Sequence, residues 1–180
     1  MKLLSLLTAT LFLNASALAA PPKDKGKGKV TPATTTATTT TKVTPTPEPA
    51  TVTCRPTLVG DKKPKPKNFL VSTKTARSEA EKAKFPDRTK SGDPHRYHHG
   101  DGLDFGKPYC GKDAELWEYP VFWTSVKKTW NMNELTRNQP ATPIRVVYAK
   151  VDGEVQYCGV MTHSEVDKEN RGKAFFQLCT

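Results

Sequence analysis

Four cysteines, Cys54, Cys110, Cys158 and Cys179, constrain this 180-residue chain more than any other feature. Their spacings of 56, 48 and 21 residues match no C-x-x-C metal pattern, which speaks against a structural zinc site. An even count in a small exported domain instead predicts two disulfides, with three pairings open from the residues alone. One of the three, Cys54 with Cys179, would close nearly the whole domain. On the loop-entropy account such a bridge contributes about 4–5 kcal/mol.

Export is read from the first stretch, MKLLSLLTATLFLNASALAA, which has one Lys, an apolar run and a small-residue end. Ala17-Leu18-Ala19 fits an A-x-A cleavage site, so residues 1–19 are expected to be a signal peptide and the mature protein secreted. The apolar run is too short for a bilayer span, and nothing later is apolar over enough length. Residues 20–50 are Lys, Gly and Pro followed by a run of Thr, Pro and Ala. Such a segment has too little apolar surface to offset its ordering entropy. It is expected to be a disordered spacer, of the composition of O-glycosylated stalks, or a removable pro-segment.

The folded domain is thereby confined to residues 51–180, which hold 22 Lys/Arg against 16 Asp/Glu, a net of +6. A basic surface suits nucleic acid or an anionic membrane, and equally serves solubility alone. Within the domain, CRPTLVGDKKPKPKNFLV reads as a hairpin with a basic loop. In TKTARSEAEKAKFP, Ala76, Ala80 and Ala83 recur at helical spacing and Pro86 ends the helix. Residues 87–115 read as loop. LWEYPVFW (116–123) alternates, with Glu118 and Phe122 on one face and Trp117, Tyr119, Val121 and Trp123 on the other. IRVVYA (144–149) and VQYCGVMTH (155–163) form a hairpin through Asp152-Gly153, and AFFQLC (174–179) adds a last strand. One helix followed by antiparallel strands predicts an α+β fold.

The same alternation carries chemistry. Arg145, Val147 and Ala149 share a strand face, as do His163, Met161, Gly159 and Tyr157. A Glu, an Arg and a His can therefore project from neighbouring strands onto one sheet face. The other three histidines fall in SGDPHRYHHGDGLDFG. Asp93, His95, His98, His99 and Asp101 could in principle hold Zn or Ni. The competing reading takes His95 alone, beside basic and aromatic residues, for acid–base work on a phosphate.

The order of blocks DPHRY, WEYP, IRVVY, CGVMTH and FFQLCT, with TVTCRP ahead of them, resembles the fungal guanyl-specific ribonucleases and their toxic relatives, the ribotoxins. The blocks span residues 51–180, and SGDPHRY, LWEYP and VQYCGVMTHS are similar to ribotoxins of the hirsutellin type. The resemblance implies the pairings Cys54–Cys179 and Cys110–Cys158. It also implies an N-terminal β-hairpin, one α-helix packed on a twisted antiparallel sheet, and long basic loops such as 61–67 and 126–137. It carries catalytic roles onto His95, Glu118, Arg145 and His163, supporting roles onto Phe176 and Tyr148, and base recognition onto Asp101. Most relatives have Tyr before the Pro-His pair. Asp93 stands there instead, as in the hirsutellin type, and is expected to orient or tune a neighbouring charge.

The implied activity is a secreted endoribonuclease that enters target cells and cuts one bond in the sarcin–ricin loop of large ribosomal RNA, stopping translation. No metal or other cofactor is required, and a monomer is expected. The expected partners are the ribosome and, during entry, an anionic membrane surface. A non-toxic, guanyl-preferring extracellular ribonuclease is the enzymatic alternative. A catalytically dead RNA-binding effector is the non-enzymatic one.

Overall fold

A computed structural model describes residues 47–60 and 62–180. The expected signal peptide and most of the expected spacer lie outside them. The described chain runs β1 (Thr51–Cys54), β2 (Thr57–Leu58), β3 (Lys65–Pro66), β4 (Phe69–Ser72), α1 (Thr73–Ala83), β5 (His95–Arg96), β6 (Leu116–Pro120), β7 (Ile144–Val151), β8 (Glu154–Val166) and β9 (Gly172–Leu178). Short 3₁₀ turns at Pro108–Cys110 and Thr136–Asn138 interrupt the loops.

Strands β1 and β4 pair antiparallel as the outer rungs of the N-terminal hairpin, with Cys54 opposite Phe69. The inner rungs, β2 and β3, join the main sheet, whose order is β3-β2-β8-β7-β6-β5 with β9 also on β8. All its pairings are antiparallel except β2 with β8. The β7–β8 turn falls at Asp152 and Gly153, both at positive φ (52° and 84°), as the Asp-Gly pair requires.

Helix α1 starts where the Ser72 side chain accepts a hydrogen bond from the Thr75 amide at 3.2 Å, satisfying one of the free N–H groups of the first turn. Ala76, Ala80 and Ala83 are all buried against the sheet. Their small side chains let the helix lie close to Val146, Tyr148 and Val160 in one core cluster. The opposite sheet face carries a second cluster built from Tyr97, Cys110, Leu116, Val147, Ala149, Cys158 and Met161, with the loop residues Leu103 and Phe105 packed on it. The disulfides are Cys54–Cys179 and Cys110–Cys158, separated by 125 and 48 residues. The first ties the hairpin to the last strand; the second ties the 97–115 loop to β8.

Residues 47–50, the end of the expected spacer, pack on the domain. Glu48 pairs with both Arg77 and Lys107, and Thr73 donates to the carbonyls of Pro49 and Ala50.

Three local expectations are corrected. The 87–115 segment is not all loop, because His95–Arg96 pairs with β6. Strand β6 ends at Pro120, so its alternation stops there, and Phe122 joins the helix-side cluster instead of sharing a face with Glu118. On β8 the register shifts: Val147 faces Gly159 but Tyr148 faces Tyr157. The extra residue, Cys158, forms a bulge that turns Tyr157 to the helix side and leaves Cys158 on the loop side, where Cys110 waits.

Candidate active site

The sheet face away from α1 gathers the charged residues. Glu118 stands on β6, Arg145 on the adjoining β7 and His163 on β8, next in the sheet. Strand β5 adds His95 directly opposite Glu118. In an antiparallel pair such residues are nearest neighbours.

His95 bridges two carboxylates. Its Nδ1 lies 3.1 Å from Asp93 Oδ1 and its Nε2 2.6 Å from Glu118 Oε1. Carboxylate oxygens accept, so both ring nitrogens must donate, which only the imidazolium can do. The hydrogen bonds from Asp93 and then Glu118 accordingly push its pKa up to about 10, against the opposing effect of partial burial. Asp93 is itself buried. The Ser91 hydroxyl accepts from its amide, and the hydroxyls of Thr89 and Ser91 donate to its carbonyl. The Asp93–Pro94 peptide is cis. The residue that replaces the usual Tyr therefore holds and charges His95.

This bridge has a stability signature. A histidine whose folded pKa is raised above 6.5 contributes stability that is complete below that value and is lost as pH rises through about 10. The melting-temperature gap between the parent and His95→Gln should therefore be widest near pH 6 and narrow towards pH 10. Thermal melts over that range check it; a gap independent of pH would refute the charged bridge.

Glu118 is buried, and its second oxygen, Oε2, has no hydrogen-bond partner. An unsatisfied buried acceptor costs about 1–3 kcal/mol, and a substrate hydroxyl would relieve that cost. Arg145 donates through Nη1 to the carbonyls of Thr142 and Ile144, both at 3.0 Å. Burial lowers its pKa while Glu118 and Asp93 raise it. An arginine starts so far above neutrality that it keeps its charge.

His163 Nδ1 lies 3.1 Å from the Ala174 carbonyl. A carbonyl can only accept, so Nδ1 carries a proton and Nε2 is left for chemistry. The ring stacks on Phe176, with centroids 4.0 Å apart. Burial lowers its pKa; the Ala174 carbonyl opposes this, Arg145 adds to it, and Glu118 and Asp101 oppose it. A cleft of about 490 Å³ opens beside Arg145 and His163, walled by Trp130, Arg137, Gln139 and Gly172.

The remaining candidates fall into place differently. Asp101 is partly buried near Tyr97, whose pKa is pushed up to about 12 by burial and then by Asp101 and Glu118. The Tyr97 hydroxyl and His99 Nε2 are buried without partners. Tyr97 was not singled out from the sequence, and His99 figured there only as a possible metal ligand. His98 is exposed, and His99 packs on Tyr97 at 5.2 Å. Among the described residues, no group of three or more His, Cys, Asp or Glu side chains is arranged to hold a metal ion. Tyr148 is fully buried on the helix side, and its hydroxyl donates to the Lys84 carbonyl at 2.7 Å, at the end of α1. It is not among the side chains around Glu118.

A family model described as ribonuclease matches residues 57–180. Among solved structures, hirsutellin A from Hirsutella thompsonii is 49% identical, with a TM-score of 0.63 over 73% of this chain and 100% of that one. The ribotoxin restrictocin, solved with a 29-mer sarcin/ricin domain RNA analogue, is 25% identical with a TM-score of 0.56, over 73% and 99% of the two chains. The cytotoxic ribonuclease alpha-sarcin is 26% identical with a TM-score of 0.54, over 72% and 98%. A comparison with curated protein sequences gives no match. Family model, fold neighbours and disulfide pattern agree: the chain belongs to the ribonuclease family, within its ribotoxin branch, and is an endoribonuclease.

Proposed function

We propose that this protein is a secreted cytotoxic ribonuclease that cuts a single phosphodiester bond in the sarcin–ricin loop of large ribosomal RNA. Glu118 takes the proton from the 2′-hydroxyl, which attacks the adjacent phosphorus. His163 Nε2 delivers a proton to the departing 5′-oxygen. Arg145 and the His95 imidazolium stabilise the charge that accumulates on the phosphate. The first product is a 2′,3′-cyclic phosphate with a free 5′-hydroxyl on the other fragment. Phe176 walls the sugar–phosphate, Asp93 holds His95, and Asp101 contributes to base recognition.

The observation that carries this reading is the unpartnered Glu118 Oε2 on the same sheet face as an imidazole whose Nδ1 is already committed. Base and acid thus each have one free position, with a guanidinium on the strand between them. A catalytically dead effector would not need that set intact. The restrictocin complex supports RNA as substrate. Lys and Arg on the loops would attract ribosomal phosphates and, during entry, anionic lipid headgroups. Action as a secreted monomer in the cytosol of target cells, with an insecticidal outcome, belongs to the same proposal.

Chemistry that runs on protons alone should survive chelation. A short sarcin–ricin hairpin incubated with the protein in excess EDTA should give fragments ending in 2′,3′-cyclic phosphate and 5′-hydroxyl, identified by mass. Activity lost in EDTA and restored by Zn²⁺ would revive a metal site built on residues 93–101.

A further inference from the structure

We propose that Gly172 is a positioning residue for the catalytic acid: its missing side chain is the seat of the His163 ring. The inference rests on His163 as the proton donor and adds the residue that holds it in place. Gly172 is the first residue of β9, paired with Val166. Its backbone is not in the left-handed region, so no turn requires glycine there. What requires it is space. A Cβ built at Gly172 would lie 2.0 Å from His163 Cδ2, 2.4 Å from Cγ and 2.8 Å from Nε2. Contacts under 3.0 Å with the body of the ring cannot be relieved by moving a flexible tip; the whole imidazole must turn.

Two further β9 residues complete the seat at alternate positions. Ala174 accepts from Nδ1 and sits at φ 59°, a conformation that costs a non-glycine residue about 1–2 kcal/mol. The β8–β9 register is irregular between His163 and Glu165, beside this residue. Phe176 stacks against the ring. Gly172, Ala174 and Phe176 thus fix the ring's place, tautomer and tilt. A methyl group at 172 would rotate the ring away from the Ala174 carbonyl and carry Nε2 off the leaving oxygen. A displacement near 1 Å costs catalysis roughly 10²-fold.

Gly172→Ala should therefore lower kcat by roughly 10–100-fold with little change in KM on a guanylyl dinucleotide. Gly111→Ala, where a Cβ meets nothing nearer than 3.8 Å, is the control. The decisive substrate carries a bridging 5′-sulfur, whose thiolate departs without a proton. On it, Gly172→Ala and the parent should react at similar rates, and so should His163→Gln. A Gly172→Ala variant as fast as the parent on the oxygen substrate, or equally slowed on both, overturns the proposal. A His163→Gln variant unimpaired on the oxygen substrate would instead sink the assignment of the acid on which it rests. Stability provides a second readout if Gly172→Ala folds poorly. The substitution should lower the melting temperature of the parent but not of a His163→Ala background, which lacks the ring. Equal destabilisation in both backgrounds means that Gly172 serves the strand and not the histidine.

Discussion

His163→Gln is expected to slow RNA cleavage by roughly 10²–10⁴-fold, the usual contribution of a general acid. Glutamine keeps the polarity and approximate size of the ring but cannot deliver a proton to the departing 5′-oxygen. The loss should appear in kcat, because the imidazole touches the reacting atoms and not the base that anchors the nucleotide. The pH profile gives a second test. Burial holds the His163 pKa below its ordinary value of 6.5, so kcat/KM of the parent should decline on the alkaline side with an apparent pKa under 6.5. That limb should be absent from the variant. His98→Gln and His99→Gln should each cost little, since neither has a role in the proposed proton transfers. Each variant is compared only after its circular-dichroism spectrum matches the parent. Unchanged cleavage by a folded His163→Gln protein would refute the mechanism.

The scaffold behind this chemistry was legible where one local signal sufficed. Three alanines at helical spacing and Pro86 gave α1, and Asp152-Gly153 gave the β7–β8 turn. Alternation placed Arg145 and His163 on one face, and the resemblance supplied the two disulfide pairings. What escaped depends on partners distant in sequence. Strand β5 is two residues long, too short to alternate, and exists because His95 and Arg96 find β6. The Cys158 bulge has no residue signature; it leaves Cys158 on the loop side together with its neighbour Gly159 and so moves Tyr157 to the helix side. Pro120 closes β6, but only the packing of Phe122 under the helix side reveals which way the chain continues.

The site follows the same division. The residue types of the proposed catalytic group were readable from motif order, because a metal-free ribonuclease mechanism calls for a carboxylate, an imidazole and a guanidinium. Their states were not. That His95 is an imidazolium depends on Asp93 and Glu118 closing on it from both sides. Tyr148 sits in the motif beside Arg145, yet strand alternation turns it to the opposite face, where it caps α1. Gly172 carries no signal in the sequence, because its importance depends on the His163 ring filling the space over it.

Specificity carries the largest expected contrast after the acid. If the protein's loops meet ribosomal phosphates as proposed, the site should act on one exposed, shaped loop far better than on open RNA, because phosphate contacts would position the enzyme before the site engages. A purely digestive enzyme has no need of that discrimination. Its products would follow the distribution of accessible guanosines. The measurement is electrophoresis of RNA from intact eukaryotic ribosomes incubated with the parent protein, beside deproteinised RNA at the same enzyme concentration. One discrete fragment from the 3′ end of the large-subunit RNA, with little cleavage of the naked RNA, is the predicted result. A smear of products from both substrates would contradict it.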